Sequence, residues 1–426
     1  METVTAQGCP KCGTTVPVHH GYVSWCHECG WNLTAPQPPD QERTRFDRLY
    51  AAAGRRFGDR LASELLAADE LEPRLTPTRV ATYTVALLAH LLTLALAVGA
   101  IVLVALTFPN PAAIVAGLIM VGLAYLMRPR LGKVPDEGML TREDAPALYK
   151  LADDVADALD VPHVDVIAID GEFNASWAIL GLRRRRVLTL GLPALAMLTP
   201  QERAALVAHE LAHGRNGDST RGVVVGSAVR ALAELYWAVA PEDFGGAREW
   251  GEHALFERIV NVLLWVVSRP VLGVLVLEFH LLLHDSQRAE YLADALAARV
   301  AGTPAAVSLE EKMLLAATVR FAVQHTAHDR SGQTDLFAVL IDTIASVPER
   351  ELERRRRVAR LEDARLSSTH PPTAKRIQLL EERARLEPQV VCTREASAAI
   401  DAETAHLRKS VQSELVDTYR DSLYAL

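Results

Sequence analysis

Apolar and polar positions divide the chain into blocks. From Ala81 to Thr107 no charged residue occurs over 27 positions, ~40 Å as a helix against the ~30 Å of a bilayer's hydrocarbon core. Phe108-Pro109-Asn110-Pro111 reads as a turn, and Ala112 to Met127 is a second uncharged run near the lower length limit for a span. Together they predict a transmembrane hairpin over 80–128, with His90 as a helix–helix hydrogen-bond partner inside it. Two further apolar stretches, Gly222–Ala240 and Ile259–Leu283, flank an acidic segment, Pro241–Arg258, of five acids and two arginines. They predict a second hairpin over 222–283. Arg230, Glu234, Arg269, Glu278 and His280 within it leave a half-buried, partly amphipathic packing open. Arg230 and Glu234 stand at i, i+4 spacing, as an ion pair would.

Elsewhere the period changes. Ala145–Leu159 predicts a helix, and Val164–Ile169 and Val187–Leu190 predict strands, so a small mixed sheet should pack on the helix that follows. The four arginines Arg183–Arg186 fit a solvated hairpin tip or contact with anionic lipid headgroups. Residues 302–366 are helical and charged, and 386–426 reads as an amphipathic helical tail. Ahead of the first span, Phe46–Leu66 places Arg48, Arg55, Arg56 and Arg60 at helical spacing, as a membrane-surface helix or a solvated lead-in would. Asn32–Arg45 reads as a linker. The fold class is α+β, mainly helical.

Charge orients the hairpin. Arg74 and Arg79 precede it, Arg128, Arg130 and Lys133 follow it, and its turn has no basic residue. Both ends should face the cytoplasm, and the soluble parts with them. The balance of 53 acidic against 45 basic residues, net −8, argues against a nucleic-acid protein. The first ten residues lack the basic start and apolar run of a cleavable signal.

The chemistry centres on His209-Glu210-Leu211-Ala212-His213, inside a helix that Thr199 can cap, Pro200 can open, Glu202 can complete as a capping box and Gly214 can stop. Two histidines four apart share one face, so their imidazoles can meet at one metal ion. Glu210 is rotated about 100° from His209, beside the metal and placed as a base toward water. A zinc site needs a third protein ligand. Glu290 and Asp294, at i, i+4 downstream, both qualify, the other then orienting an imidazole.

At the N-terminus, Cys9-Pro-Lys-Cys12-Gly13 and Cys26-His-Glu-Cys29-Gly30 are two CxxC turns separated by 13 residues. Four thiolates close a tetrahedral shell with no room for water, so a zinc there is structural. His19, His20 and His27 are substitute ligands. Cys392 stands alone as a buried or inert thiol.

The residues from His209 to Asp218, with Glu290-Tyr-Leu-Ala-Asp294 and Thr369-His370-Pro-Pro-Thr-Ala-Lys-Arg-Ile377, resemble HtpX-type integral-membrane zinc metalloproteases, relatives of the CAAX prenyl protease. The resemblance covers about residues 80–380. It implies a zincin-like metalloprotease domain in which Glu290 is the third zinc ligand and Asp294 its neighbour's partner. It also implies that Asn174 and Ala175 begin an edge strand that pairs with substrate backbone. Trp177 departs from the family there, replacing a small residue or phenylalanine.

The expected organisation is a zinc ribbon at 1–33, linker and juxtamembrane helix at 34–79, the hairpin at 80–128, a protease domain at 134–385 and a helical tail at 386–426. The expected function is zinc endopeptidase activity on protein or peptide substrates in protein quality control. One catalytic and one structural Zn2+ would be held in a multi-pass protein of the cell membrane, in contact with lipid. His370 either stabilises an oxyanion or is structural. The rival readings are a prenyl-protein processing protease, and an inactive membrane scaffold that recruits partners through its ribbon.

Overall fold

The structure, a computed structural model, describes residues 5–33, 56, 58–68, 71–72, 74–241, 254–329, 332–361 and 370–424. Most of the expected linker and of the acidic segment between the later apolar stretches lies outside them.

The first apolar run is helix α1 (Pro77–Thr107), capped by the Thr76 hydroxyl, and the second is α2 (Pro111–Leu126), capped by the Asn110 side chain. Proline opens both, where its missing N–H costs nothing. The 16 residues of α2 reach ~24 Å, near the lower limit for a span. Among the described residues, three stretches are long and apolar enough to cross a membrane: Pro77–Thr107, Gly222–Val239 in α6 (Asp218–Val239) and Arg258–Ala301 in α7 (Ala254–Ala301). The outer faces of α1 and α7 expose large apolar side chains such as Leu88, Ile101, Val262 and Val266. Where α1 meets α6 its own face is small: Ala86 and Ala89 pack against Val225 and Ala228, which lets the two helices approach closely. There His90 Nε2 donates to the Val224 carbonyl at 2.9 Å. Glu234 pairs with Arg130 at 3.1 Å and not with Arg230, because the end of α2 packs beside this turn of α6.

Helix α7 is 48 residues long and passes through Pro270 without ending. The sequence reading separated an apolar stretch ending at Leu283 from a second helix at 286–294. Nothing in Leu283-His284-Asp285-Ser286 stops a helix, so one rod of ~72 Å runs on. It carries Glu290 and Asp294 from the apolar layer into the soluble body.

That body is built on a mixed sheet of order β3-β4-β6-β5, with β3 (Met139–Leu140), β4 (Val166–Asp170), β5 (Ala175–Leu180) and β6 (Arg185–Gly191). β4 and β6 are parallel, while β5 pairs antiparallel with β6 and forms an edge. The β5–β6 tip holds the arginine block, with Gly181 and Arg184 at positive φ; Arg186 pairs with Asp165 at 2.6 Å. Helices α3 (Pro146–Leu159), α4 (Leu192–Met197) and α5 (Pro200–Arg215) cover the sheet, and Leu148, Val155, Leu188, Leu190, Leu206 and Leu211 fill one core.

Among the described residues, seven α-helices follow: α8 (Thr303–Met313), α9 (Ala316–His328), α10 (Leu336–Ala345), α11 (Glu349–Leu361), α12 (Thr373–Glu382), α13 (Arg394–Thr404) and α14 (Arg408–Tyr424). The last two, expected as a tail, belong to the body. Val390, Cys392, Ile400 and Val411 enter the main core. Ala145 offers α3 no side-chain cap, and Glu403 supplies it, accepting from Ala147 N at 2.7 Å and Leu148 N at 3.1 Å. The lead-in helix at 58–67 likewise packs on protein, with Leu61 and Leu65 buried against Tyr291 and Leu379 and Arg56 and Arg60 exposed. Arg48 and Arg55 lie outside the described residues.

Candidate metal centre

Helix α5 forms as its sequence dictates: Thr199 and Glu202 close a capping box around its first turn and Pro200 opens it. Glu202 also accepts from Ser308 Oγ at 2.5 Å and pairs with Lys312 at 2.5 Å, fixing the helix to α8. Gly214 does not stop the helix, which runs through Arg215 and ends at Asn216, ahead of Gly217 at φ 74°. Gly214 is needed for another reason. A Cβ there would come within 3.2 Å of the Trp177 ring, so the missing side chain lets strand β5 lie against α5.

His209 and His213 stack edge to face, ring centroids 5.0 Å apart. Glu290 reaches between them from α7: Oε2 is 3.6 Å from His209 Nε2 and Oε1 is 3.6 Å from His213 Nε2. One donor atom from each of the three lies within 4.8 Å of the others. Two zinc ligands at ~2.0–2.1 Å in a tetrahedral shell stand roughly 3.4 Å apart, so the spacing fits zinc. Of the two downstream carboxylates, Glu290 joins this cluster. Asp294 sits behind it, with Oδ1 3.0 Å from His209 Nδ1, where it orients the ring.

The sequence reading missed what holds Asp294. Arg376 on α12 makes two bonds to it, 2.7 and 2.5 Å, and a third to Glu310 at 2.9 Å. Burial raises the Glu310 pKa to about 7 in spite of that guanidinium. Burial also works against a charged His209, yet Asp294 and Glu290 beside it hold its pKa well above the ordinary value. Glu290, Asp294 and Glu310 thus gather negative charge around His209, which a divalent cation held by the neutral imidazole would offset.

Glu210 is buried, and it opens with both histidines onto a cleft of about 270 Å³ that Asn174, Ala175, Trp177, Leu309, Met313 and His370 also line. Ala175 begins the edge strand, and the Asn174 carbonyl accepts from Gly191 N at 2.9 Å. His370 Nδ1 lies 2.8 Å from Glu290 Oε2.

At the other end of the chain, β1 (Thr5–Gly8) and β2 (Thr15–Val18) form a hairpin. Cys9, Cys12, Cys26 and Cys29 converge with their sulfurs within 4.8 Å of one another. Cys9 and Cys29 are 3.6 Å apart, as are Cys12 and Cys26. A disulfide needs ~2.05 Å, whereas two thiolates on one zinc at ~2.3 Å stand roughly 3.8 Å apart. The four cysteines fit a metal shell. Among the described residues, His19, His20 and His27 are not part of that cluster.

The chain is 26% identical over 249 residues to a protease HtpX homolog of Aquifex aeolicus, which covers 57% of this chain and 73% of the relative. Identity is also 26%, over 247 residues, to the protease HtpX homolog of Persephonella marina, at 57% and 76% coverage. A Thermococcus sibiricus homolog is 25% identical over 248 residues, at 57% and 75%. The chain is a membrane metalloprotease. The model of peptidase family M48 matches residues 143–384, more than half of the chain and the whole of the cleft, and the protein belongs to that family.

Proposed function

We propose that the protein is a zinc endopeptidase whose active site lies on the cytoplasmic side of the membrane, with His209, His213 and Glu290 as metal ligands. The observation that carries this reading is the meeting of three donors, each imidazole 3.6 Å from Glu290, beside the buried Glu210. Zinc held there supplies Lewis acidity toward water and a peptide carbonyl. Glu210 takes the proton of the attacking water and passes it to the leaving amine. Asp294 fixes the tautomer and plane of His209, and Arg376 holds Asp294. His370, bonded to Glu290 at the cleft's edge, is placed to steady charge that develops on the carbonyl oxygen.

Substrate adds as a strand along β5 from Asn174 and Ala175, so backbone bonds carry most of the affinity and side-chain selectivity is weak. Such selectivity suits the removal of damaged membrane and cytosolic proteins. The basic residues on either side of the α1–α2 hairpin support the cytoplasmic placement. A second zinc in the four-cysteine ribbon is structural. Casein cleavage by detergent-purified protein, with and without a chelator, tests the reading. Cleavage abolished by chelation and restored by zinc is expected, and chelator-resistant cleavage would refute it.

A further inference from the structure

The ribbon was expected to be a separate module on a flexible tether, but it is seated on the body. Trp25, only 1% exposed, lies under two guanidiniums of α11, with Arg350 at 4.8 Å and Arg357 at 5.1 Å from its ring centroid. The same arginines donate to ribbon carbonyls, Arg350 Nη2 to Trp25 O at 2.5 Å and Arg357 Nη1 to His27 O at 2.9 Å. Those carbonyls flank Cys26. Tyr22 adds a bond from its hydroxyl to Ser346 O at 3.4 Å.

From α11 the contacts continue inward. Arg356 pairs with Glu311 of α8 at 2.7 Å, and Arg355 donates to Leu314 O at 2.8 Å. Glu310, next to Glu311, turns the other way and pairs with Arg376 at 2.9 Å. Arg376 grips Asp294, which is 3.0 Å from His209 Nδ1. Side-chain contacts, linked through the backbones of α11 and α8, thus run from Cys26 to His209. Such a chain couples two sites only if one element has two states, and the ribbon supplies it. A module with so small a core is folded with its metal and unfolded without it, and unfolding withdraws Trp25 and both carbonyl acceptors from Arg350 and Arg357.

We propose that the four-cysteine centre is an allosteric metal site: its occupancy fixes α11 and α8, and through Glu310 and Arg376 it positions Asp294 and His209. This rests on the reading of both donor clusters as metal sites. Coupling of this kind is reciprocal in binding free energy, so a metal-filled ribbon tightens metal binding at the histidine cluster, and an occupied histidine cluster tightens the ribbon's grip.

Hydrogen exchange on the full-length, zinc-loaded protein in detergent tests it without substrate. Two variants are compared with wild type: Cys26→Ser with Cys29→Ser, which empties the ribbon, and Trp25→Ala, which keeps all four thiols. Both should speed amide exchange in 349–361 and 303–313 by about tenfold and leave 146–159 unchanged. Zinc loss from the histidine cluster to a chelator should accelerate in both. If the cysteine variant loosens 146–159 as well, Trp25→Ala decides alone. Unchanged exchange in 303–313 in Trp25→Ala overturns the coupling, and a wild-type ribbon without metal overturns it too. Failure to cleave casein would refute the protease reading and leave this measurement intact.

Discussion

Arg376 and Asp294 form a buried two-point ion pair, Nε to Oδ2 at 2.7 Å and Nη2 to Oδ1 at 2.5 Å. The pair joins α12 to α7 directly behind the candidate zinc ligand His209. Removing Arg376 would leave Asp294 buried and uncompensated, at a cost of about 3–5 kcal/mol. Arg376→Ala should therefore unfold at markedly lower denaturant concentration and lose zinc faster to a chelator. Arg376→Lys keeps the charge but not the forked geometry, and should fall between. Wild-type stability in Arg376→Ala would mean the pair is incidental.

Glu202 ties the first turn of α5 to α8, and the residue is only 4% exposed. Burial alone would raise its pKa, but Lys312, Ser308 and Thr199 N together hold it below the ordinary 4.5. The unfolded chain thus takes up this proton before the folded one. The stabilisation is complete above pH ~4.5 and is lost as pH falls through the folded value. Glu202→Gln should flatten the acid limb of melting temperature against pH, and an unaltered limb would contradict the assignment.

Glu290 and Asp294 should separate cleanly in metal analysis. Glu290→Ala leaves two imidazoles at the site, so its zinc should dissociate readily. Asp294→Ala keeps all three donors and should weaken retention about 10–100-fold without abolishing it. An emptied site in Asp294→Ala together with full retention in Glu290→Ala would reverse their roles.

Gly214 and Trp177 should be coupled. With a large ring 3.2 Å from the added Cβ, Gly214→Ala should destabilise the wild type. In a Trp177→Ala background the same change should gain about 1 kcal/mol from helix propensity. Additive effects in the double-mutant cycle would show that the ring does not constrain this position.

A cysteine placed at Asn110, in the α1–α2 turn, should react with an impermeant reagent added outside intact cells. One at Ser176 should react only after permeabilisation. The opposite pattern would invert the topology.

Much of the site could be read from sequence because its parts obey local rules. The i, i+4 histidines, the capping box at Thr199 and Glu202 and the two CxxC turns are patterns within one helix or one turn. Glu290 and Asp294 could be named but not ranked from spacing, since which carboxylate meets the imidazoles depends on how α7 crosses α5. Arg376, 82 residues from Asp294, and Glu403, 256 residues from Ala147, meet their partners only through tertiary packing. The length of α7 was hidden by a change in hydropathy at Leu283 that does not interrupt the helix. Trp25 reads as one more aromatic beside a cysteine turn, and only the folded chain brings Arg350 and Arg357 to its face.

The most direct test of the mechanism is Glu210→Gln, assayed for peptide cleavage and for zinc on the same preparation. The substitution keeps shape and removes the base. Zinc content should match wild type while the rate falls about 10²–10⁴-fold. Cleavage near the wild-type rate with zinc retained would contradict the role given to Glu210.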